Sequence, residues 1–409
     1  MEDKLLKKLA EEHETPLYVY DGYLIEQRCK EFREAFADFP VEVKCCYALK
    51  ANTNLAILSL IKNQGFGADV VSTGELDACM KVGFNPADVI YNSNSKSESE
   101  IKAALDAGIN LTVGNTTEIG LLKKFGGKKI AFRVNPDVQA NTHAKISTAL
   151  HDSKFGLHFE DDIAYNAVKK ARDIGLKVSG IQCHIGSNIK DASAFTDTGK
   201  KMMQFASRLK EELDITLDFI DFGGGLGVPY NNEKALKPGG FATAYKKPIE
   251  EGLDKLGYKP ECWFEPGRFI VAEAGVLLTK VNSVKKTPAK KFVNVDSGFN
   301  TLLRPAMYDA YHQVHVVGKK GVEETYDIAG SLCESSDILA KERKLPKIDE
   351  GDVIAIHNAG AYGFSMASAY NSKPLPAEVL VRRDRVDVIR ERSGIEDLYW
   401  KQKIPSDLE

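Results

Sequence analysis

A rhythm constrains the fold of this chain more than any single residue does. Eight short apolar runs occur between residues 43 and 265: 43–49, 68–72, 88–92, 111–113, 130–135, 178–185, 219–223 and 262–265. Their length and their β-branched or aromatic content suit buried strands. Stretches with helical spacing separate most of them: 55–63, 74–82, 97–107, 117–125, 163–174, 196–212 and 241–256. Eight such units are the pattern of a closed (β/α)₈ barrel. A doubly wound open sheet repeats the same local unit, and the count of eight favours closure. After residue 268 the texture changes to short β-rich runs at 272–281, 291–295, 312–317, 325–328, 353–356, 377–382 and 385–390. They read as an antiparallel sheet or small barrel.

The expected architecture is therefore α/β, a TIM-like barrel over residues 31–270 with a second, C-terminal β-rich domain. That domain takes in residues 271–409 and residues 1–30, whose run 15–20 starts near Pro16 as an entry strand would. An amphipathic helix is expected at 24–36. Residues 332–340 read as a short helix or irregular turn, and the tail 393–407 as helical at first.

Composition excludes several classes. The 409 residues are 43% hydrophobic, enough for two cores. Basic and acidic residues nearly cancel, 55 against 58, which argues against a nucleic-acid or membrane surface. No apolar run approaches the roughly 20 residues that span a bilayer. Residues 1–14 are charged and lack a signal peptide's apolar centre. The seven cysteines are odd in number and none has C-x-x-C spacing, so neither disulfides nor a zinc knuckle is expected. A reducing, cytoplasmic location follows as the expectation. The eight histidines form no H-E-x-x-H and no dense cluster, and no metal is expected.

The stretch Val43-Lys-Cys-Cys-Tyr-Ala-Leu-Lys50 ends on a lysine just before a turn. At the C-terminal end of a barrel's first strand, that amine reaches the region where such folds do chemistry. Lys50 is the candidate to carry pyridoxal phosphate as a Schiff base; a solvated surface lysine is the plain alternative. Asp221-Phe-Gly223-Gly224-Gly225-Leu-Gly suits either close backbone approach to an anion or a tight turn. In Glu265-Pro-Gly267-Arg268, Glu265 could partner a pyridine nitrogen, and Gly267 and Arg268 could meet phosphate or a substrate carboxylate. A salt bridge at a strand end is the alternative. In Cys183-His184-Ile-Gly-Ser187, His184 could stack on a flat ring and Ser187 could bind phosphate. Arg133 and, more weakly, Asp69 are charged residues that would need partners inside a barrel. Beyond residue 270, three stretches stand out: Arg304 with Tyr308, Cys333 with Glu334, and Tyr362 among small residues. Taken singly, each fits a structural role better than a catalytic one.

Together these residues resemble the diaminopimelate decarboxylases, within the alanine-racemase-like, fold-type III pyridoxal-phosphate enzymes, and the resemblance covers essentially the whole chain. It implies Lys50 as the Schiff-base lysine, His184 as the stacking residue and Ser187 as a phosphate ligand. The Gly223–Gly225 run, Glu265, Gly267 and Arg268 resemble the phosphate and ring-nitrogen elements. Arg268, Arg304 and Tyr308 resemble substrate-binding residues, and Glu334 the neighbouring recognition residue. Tyr362 resembles the tyrosine touching substrate and cofactor, and Cys333 the proton donor that the family takes from a partner subunit. The implied reaction is decarboxylation of meso-2,6-diaminopimelate to L-lysine and CO₂, the last step of lysine biosynthesis, by a homodimer with shared active sites. Decarboxylases of other basic amino acids or of carboxynorspermidine share single motifs. The combination of Arg304–Tyr308, Cys333-Glu-Ser-Ser-Asp337 and Gly360-Ala-Tyr362 is the more specific one. A racemase and a non-catalytic cofactor carrier fit this combination less well.

Overall fold

The computed structural model describes residues 1–138, 153–231, 233–321 and 324–408. The chain divides into two compact units, one of Ile25–Pro229 and Glu233–Ile270, the other of Met1–Leu24, Tyr230–Asn232 and Val271–Glu409. Strands are numbered along the chain from β1 (Leu17–Asp21), which belongs to the second of these.

The first unit holds β2 (Val43–Ala48), β3 (Gly67–Val70), β4 (Val89–Tyr91), β5 (Asn110–Val113), β6 (Lys129–Asn135), β7 (Leu157–His158), β8 (Lys177–Gln182), β9 (Phe219–Asp221) and β10 (Glu261–Phe264). Leaving aside β7, which only extends the end of β6, the other eight form a parallel ring. It closes where β10 pairs with β2 through Cys262–Val43 and Phe264–Cys45. All eight expected strands are present. Their C-terminal ends fall short of the apolar runs where those runs continue into buried but irregular backbone, as at Cys183 and Ile185. Hydrogen-bond pairing has stopped there although hydrophobicity has not.

Side chains from β2, β4, β6, β9 and β10 (Cys46, Ile90, Ala131, Phe219 and Trp263) meet in one apolar cluster. Strands so far apart in the ring can share a cluster only in its interior. The Phe219 and Trp263 rings stack at 4.3 Å, and burying each ring stabilises the barrel by about 1.5–3 kcal/mol. Helices start abruptly after the strands because their caps are encoded. Ser72 Oγ accepts the Glu75 N–H, Ser97 and Glu100 form a reciprocal capping box, and Asn115 accepts the Glu118 N–H.

The second unit is a mostly antiparallel sheet. Its strands are β1, β11 (Gly275–Lys286), β12 (Lys291–Val295), β13 (Val314–Val316), β14 (Glu324–Ala329), β15 (Ile338–Leu345), β16 (Val353–Ile356), β17 (Ala377–Arg382) and β18 (Arg385–Arg390). The order is β15-β14-β12-β11-β1-β17-β18, with β16 joined to β11 and β13 to β16. Two pairings, β1–β17 and β12–β14, are parallel. Strand β15 replaces part of the expected turn at 332–340. Its Lys341-Glu-Arg-Lys344 segment leaves little apolar signal in the sequence. A helix at Asp3–His13 was also not expected; it packs Leu6, Leu9 and Ala10 against Leu17, Val19 and Leu278. The charged residues between those positions hide a narrow apolar stripe. The tail is helical only over the short 3₁₀ turn Glu396–Tyr399. Among the described residues, no helix is long and apolar enough to cross a membrane, and no cluster could hold a metal ion.

Candidate active site

Lys50 lies two residues past β2, in the turn Leu49–Ala51. The turn is tied down on both sides. Tyr47 Oη donates to the Asn52 carbonyl at 3.1 Å, and the Ala48 N–H donates to the Pro266 carbonyl at 3.2 Å. Asn54 then caps the helix Leu55–Asn63. Lys50 Nζ reaches Asp69 Oδ2 on β3 at 2.6 Å. Asp69, ranked low from sequence, is therefore the acid against the lysine.

A polar network fills this end of the barrel. Asn92 Nδ2 donates to Asp69 Oδ1 at 3.0 Å and also to Glu265. Gln182 Nε2 donates to both Glu265 oxygens at 3.1 and 3.2 Å. Arg133 Nη1 donates to the Asn92 carbonyl at 3.1 Å. Asn92 and Gln182 were missed in the sequence. Their one signal is an amide closing an apolar strand run, in Val89-Ile-Tyr-Asn92 and Gly180-Ile-Gln182.

Three carboxyl groups, on Asp69, Asp221 and Glu265, are each at most 4% exposed. Burial, then repulsion from Asp221 and Asp69, pushes Glu265 well above the ordinary carboxyl range. Burial likewise pushes Asp221 up to about 7, against the lowering effect of the Gly223 N–H bond. Two buried acids this close to one another do not both ionise readily. Because the Asp221 pKa is raised on folding, its contribution to stability is complete below about pH 4 and is lost as pH rises through about 7. Asp221→Asn keeps the acceptor for Gly223 and cannot ionise. Its melting temperature relative to wild type, both without cofactor, is expected to improve steadily from about pH 4 to about pH 7. A difference that stays constant across that window rules this out.

His184 follows β8. The Gly224 N–H donates to its Nδ1 at 3.3 Å, which leaves the proton on Nε2. Burial first, then the Lys50 and Arg133 cations, hold its pKa well below the ordinary imidazole value. A neutral ring results. The glycine run has an internal explanation. A Cβ on Gly223 would lie 2.3 Å from the Cys183 carbonyl, and one on Gly224 would lie 2.2 Å from the Glu265 carbonyl. The Gly223 N–H is used by Asp221 Oδ1 at 2.8 Å. These two glycines let three loops pack together. Arg268, 6% exposed, donates from Nε and Nη2 to Ser187 Oγ at 3.3 and 3.0 Å. Gly267 sits in the preceding turn against Ala48 and Ala51.

In the second unit, Arg304 and Tyr308 begin and end one short helix, Arg304–Tyr308, and so share a face. Arg304 is buried and Tyr308 half-buried. Cys333 and Glu334 lie in an exposed loop. The Asp337 carboxylate shapes that loop by accepting the Phe299 and Leu332 N–H groups at 2.7 and 2.8 Å. Cys333 Sγ lies 3.3 Å from Asn371 Nδ2, and Tyr370 Oη donates to Glu334 at 2.5 Å. The other six cysteines are buried; burial pushes the Cys45 and Cys79 thiols up to about 12. Tyr362 has φ +56°. For a residue with a Cβ this conformation costs about 1–2 kcal/mol.

Known proteins resemble this chain along nearly its whole length. The family described as "pyridoxal-dependent decarboxylase, pyridoxal binding domain" matches residues 23–272. Diaminopimelate decarboxylase of Archaeoglobus fulgidus is 44% identical over 97% of this chain and 95% of its own. That of Methanothermobacter thermautotrophicus is 42% identical over 98% and 94%. A crystal structure of diaminopimelate decarboxylase from Methanocaldococcus jannaschii with L-lysine has a TM-score of 0.93 at 40% identity, covering 98% of this chain and 95% of that one. A barrel with a lysine set against buried acids, matched along nearly its whole length by these proteins, places the chain in the diaminopimelate decarboxylase family of pyridoxal-dependent decarboxylases.

Proposed function

We propose that this chain decarboxylates meso-2,6-diaminopimelate at its D centre, releasing CO₂ and L-lysine. The observation that carries the reading is the 2.6 Å contact of Lys50 with Asp69 in a cluster of buried acids that includes Glu265. The names of the relatives and the lysine held by the Methanocaldococcus structure support the choice of substrate.

The residues fit pyridoxal phosphate. Glu265 is a buried acid gripped by two amide donors, and Asp221 Oδ2 and Gln182 Oε1 are buried without a hydrogen-bond partner among the described residues. A cationic ring N–H set against Glu265 would let that acid ionise without exposure to water. Lys50 supplies the amine for covalent attachment. His184 offers the face of a neutral imidazole to the ring. Ser187, Arg268 and the backbone of Gly225 and Gly267 would hold the phosphate; the N–H groups of Gly223 and Gly224 are already given to Asp221 and His184. Pyridoxal phosphate, when bound, supplies the electron sink for the pair left by the departing carboxylate.

Glu265 is the acid that would partner a protonated ring nitrogen and so keep that sink effective. Arg268, Arg304, Tyr308, Glu334 and Tyr362 bind the substrate, the distal ammonium and carboxylate falling to Glu334 and to Arg304 with Tyr308. Ornithine lacks the distal carboxylate and would leave Arg304 without it, a costly mismatch. The Cys333 thiol delivers a proton to the α carbon. Its exposure on the isolated chain suits a homodimer in which each subunit lends Cys333 to the other's site. A cytoplasmic location completes the reading. The test is product analysis: holoenzyme is incubated separately with meso-diaminopimelate, ornithine, arginine and carboxynorspermidine. CO₂ and lysine are expected from the first alone, and no lysine from it would end this assignment.

A further inference from the structure

We propose that His312 is a positioning residue for the reaction: a neutral imidazole, its tautomer dictated by the fold, that aims the Arg304 guanidinium at the substrate. The inference rests on the reading above that Arg304 binds the distal carboxylate, and adds the device that holds it.

His312 is fully buried. Its Nδ1 lies 2.8 Å from the His357 carbonyl oxygen, and its Nε2 lies 2.8 Å from Arg304 Nη1. A carbonyl can only accept, so Nδ1 carries the hydrogen. A guanidinium can only donate, so Nε2 presents its lone pair. One protonation state satisfies both neighbours, the neutral ring with its hydrogen on Nδ1. A protonated His312 would turn an N–H toward the guanidinium, losing a bond and setting two cations 2.8 Å apart.

Tyr230 packs on both residues. Its ring centre is 4.5 Å from Arg304 Cζ and 5.4 Å from the His312 ring, which meets it edge-on. Arg304 is thus gripped along one edge by a hydrogen bond and over one face by an aromatic ring. The carbonyl that orients His312 is itself anchored. The His357 N–H donates to the Gln313 carbonyl at 2.8 Å, and the His357 ring stacks on His315. His315 in turn reaches Asp3 at 2.9 Å.

The choice of imidazole has a chemical reason. A carboxylate at position 312 would also fix the guanidinium, but would cancel the charge needed for the substrate. A neutral acceptor fixes orientation and leaves the full charge in place. Carboxylate recognition by a guanidinium is strongly directional, so its worth depends on that orientation.

The experiment measures KM and kcat for meso-diaminopimelate on dimeric holoenzyme. His312→Phe keeps a ring against Tyr230 and removes the acceptor. His312→Asn keeps a donor near Nδ1 but falls short of Arg304, whereas the longer His312→Gln places an amide oxygen near Nε2. Loss of one charge-assisted hydrogen bond predicts a KM about 10- to 50-fold higher in the Phe and Asn variants, with kcat within about threefold. His312→Gln should recover most of the loss. On an Arg304→Ala background, His312→Phe should change KM by less than about twofold, because the two residues act as one unit.

Three outcomes overturn the proposal. One is a KM unchanged by His312→Phe although Arg304→Ala raises it. Another is a His312→Phe effect that persists in full on the Arg304→Ala background, which marks a merely structural role. The last is a KM unmoved by Arg304→Ala itself; this removes the substrate contact too, and so differs from failure at His312 alone. Should His312→Phe not fold, the contrast between Asn and Gln decides in the same way.

Discussion

Replacing Lys50 with alanine is expected to abolish lysine production, lowering kcat by at least about 10⁴-fold, because the proposed covalent attachment of the cofactor is then lost rather than weakened. Reduction of the wild-type holoenzyme with borohydride, followed by peptide mass spectrometry, should place the cofactor on Lys50. The structure supplies a demanding control. Lys96 is also buried in the barrel unit, and burial lowers its pKa to about 8 despite the opposing pull of Glu118. More of its amine is in the free-base form near neutral pH than in an ordinary lysine, which makes it a rival for the cofactor. Its Nζ, however, bonds to the Ser93 carbonyl at 2.7 Å and lies 3.6 Å from Glu118, whose carboxylate also accepts the Lys96 and Gly114 N–H groups. Lys96 is occupied in holding the loops after β4 and β5. An adduct on Lys96, or Lys50→Ala protein that still makes lysine at a wild-type rate, would overturn the assignment of the attachment site.

Cys333→Ala should have the second-largest effect, a fall in kcat of about 10²- to 10⁴-fold, the usual cost of removing a general acid. KM should change little, since the proposed proton transfer to the α carbon follows binding. If Cys333 serves the partner subunit's site, two inactive variants will complement one another. Equal amounts of Lys50→Ala and Cys333→Ala protein, allowed to exchange subunits, form hybrids with one intact site in two. Random reassociation then restores roughly a quarter of wild-type activity. Exchange shown by mass-tagged subunits without any recovery would mean that each subunit uses its own Cys333, or none. The loop's construction makes the variant a fair test. Asp337, not Cys333, holds the loop through the Phe299 and Leu332 N–H groups, so alanine at 333 leaves its frame intact.

Much of this protein is legible along the chain, for a physical reason. The eight barrel strands are local apolar runs, and each is followed by capping residues such as Ser72, Ser97 and Asn115 that end one element and start the next. Turn and cap chemistry acts over three or four residues, so sequence proximity carries it. The same holds for Lys50, singled out by its place after a strand, and for Arg304 and Tyr308, whose spacing matches one helical turn.

Other features exist only in three dimensions. Asn92 and Glu265 are 173 positions apart, yet one amide bridges Glu265 and the acid beside Lys50. The glycines of the 223–225 run read as a ligand loop, and the fold gives two of them a packing duty against the Cys183 and Glu265 carbonyls. The protonation of Asp221 and Glu265, and the tautomer of His312, depend on which groups are brought against them and how far water is excluded. Side-chain identity along the chain determined the elements and named most of the reactive groups. Only the tertiary structure decided their charge states and partners: ring closure in the barrel and strand pairing in the second unit set distant groups a hydrogen bond apart in poorly solvated space.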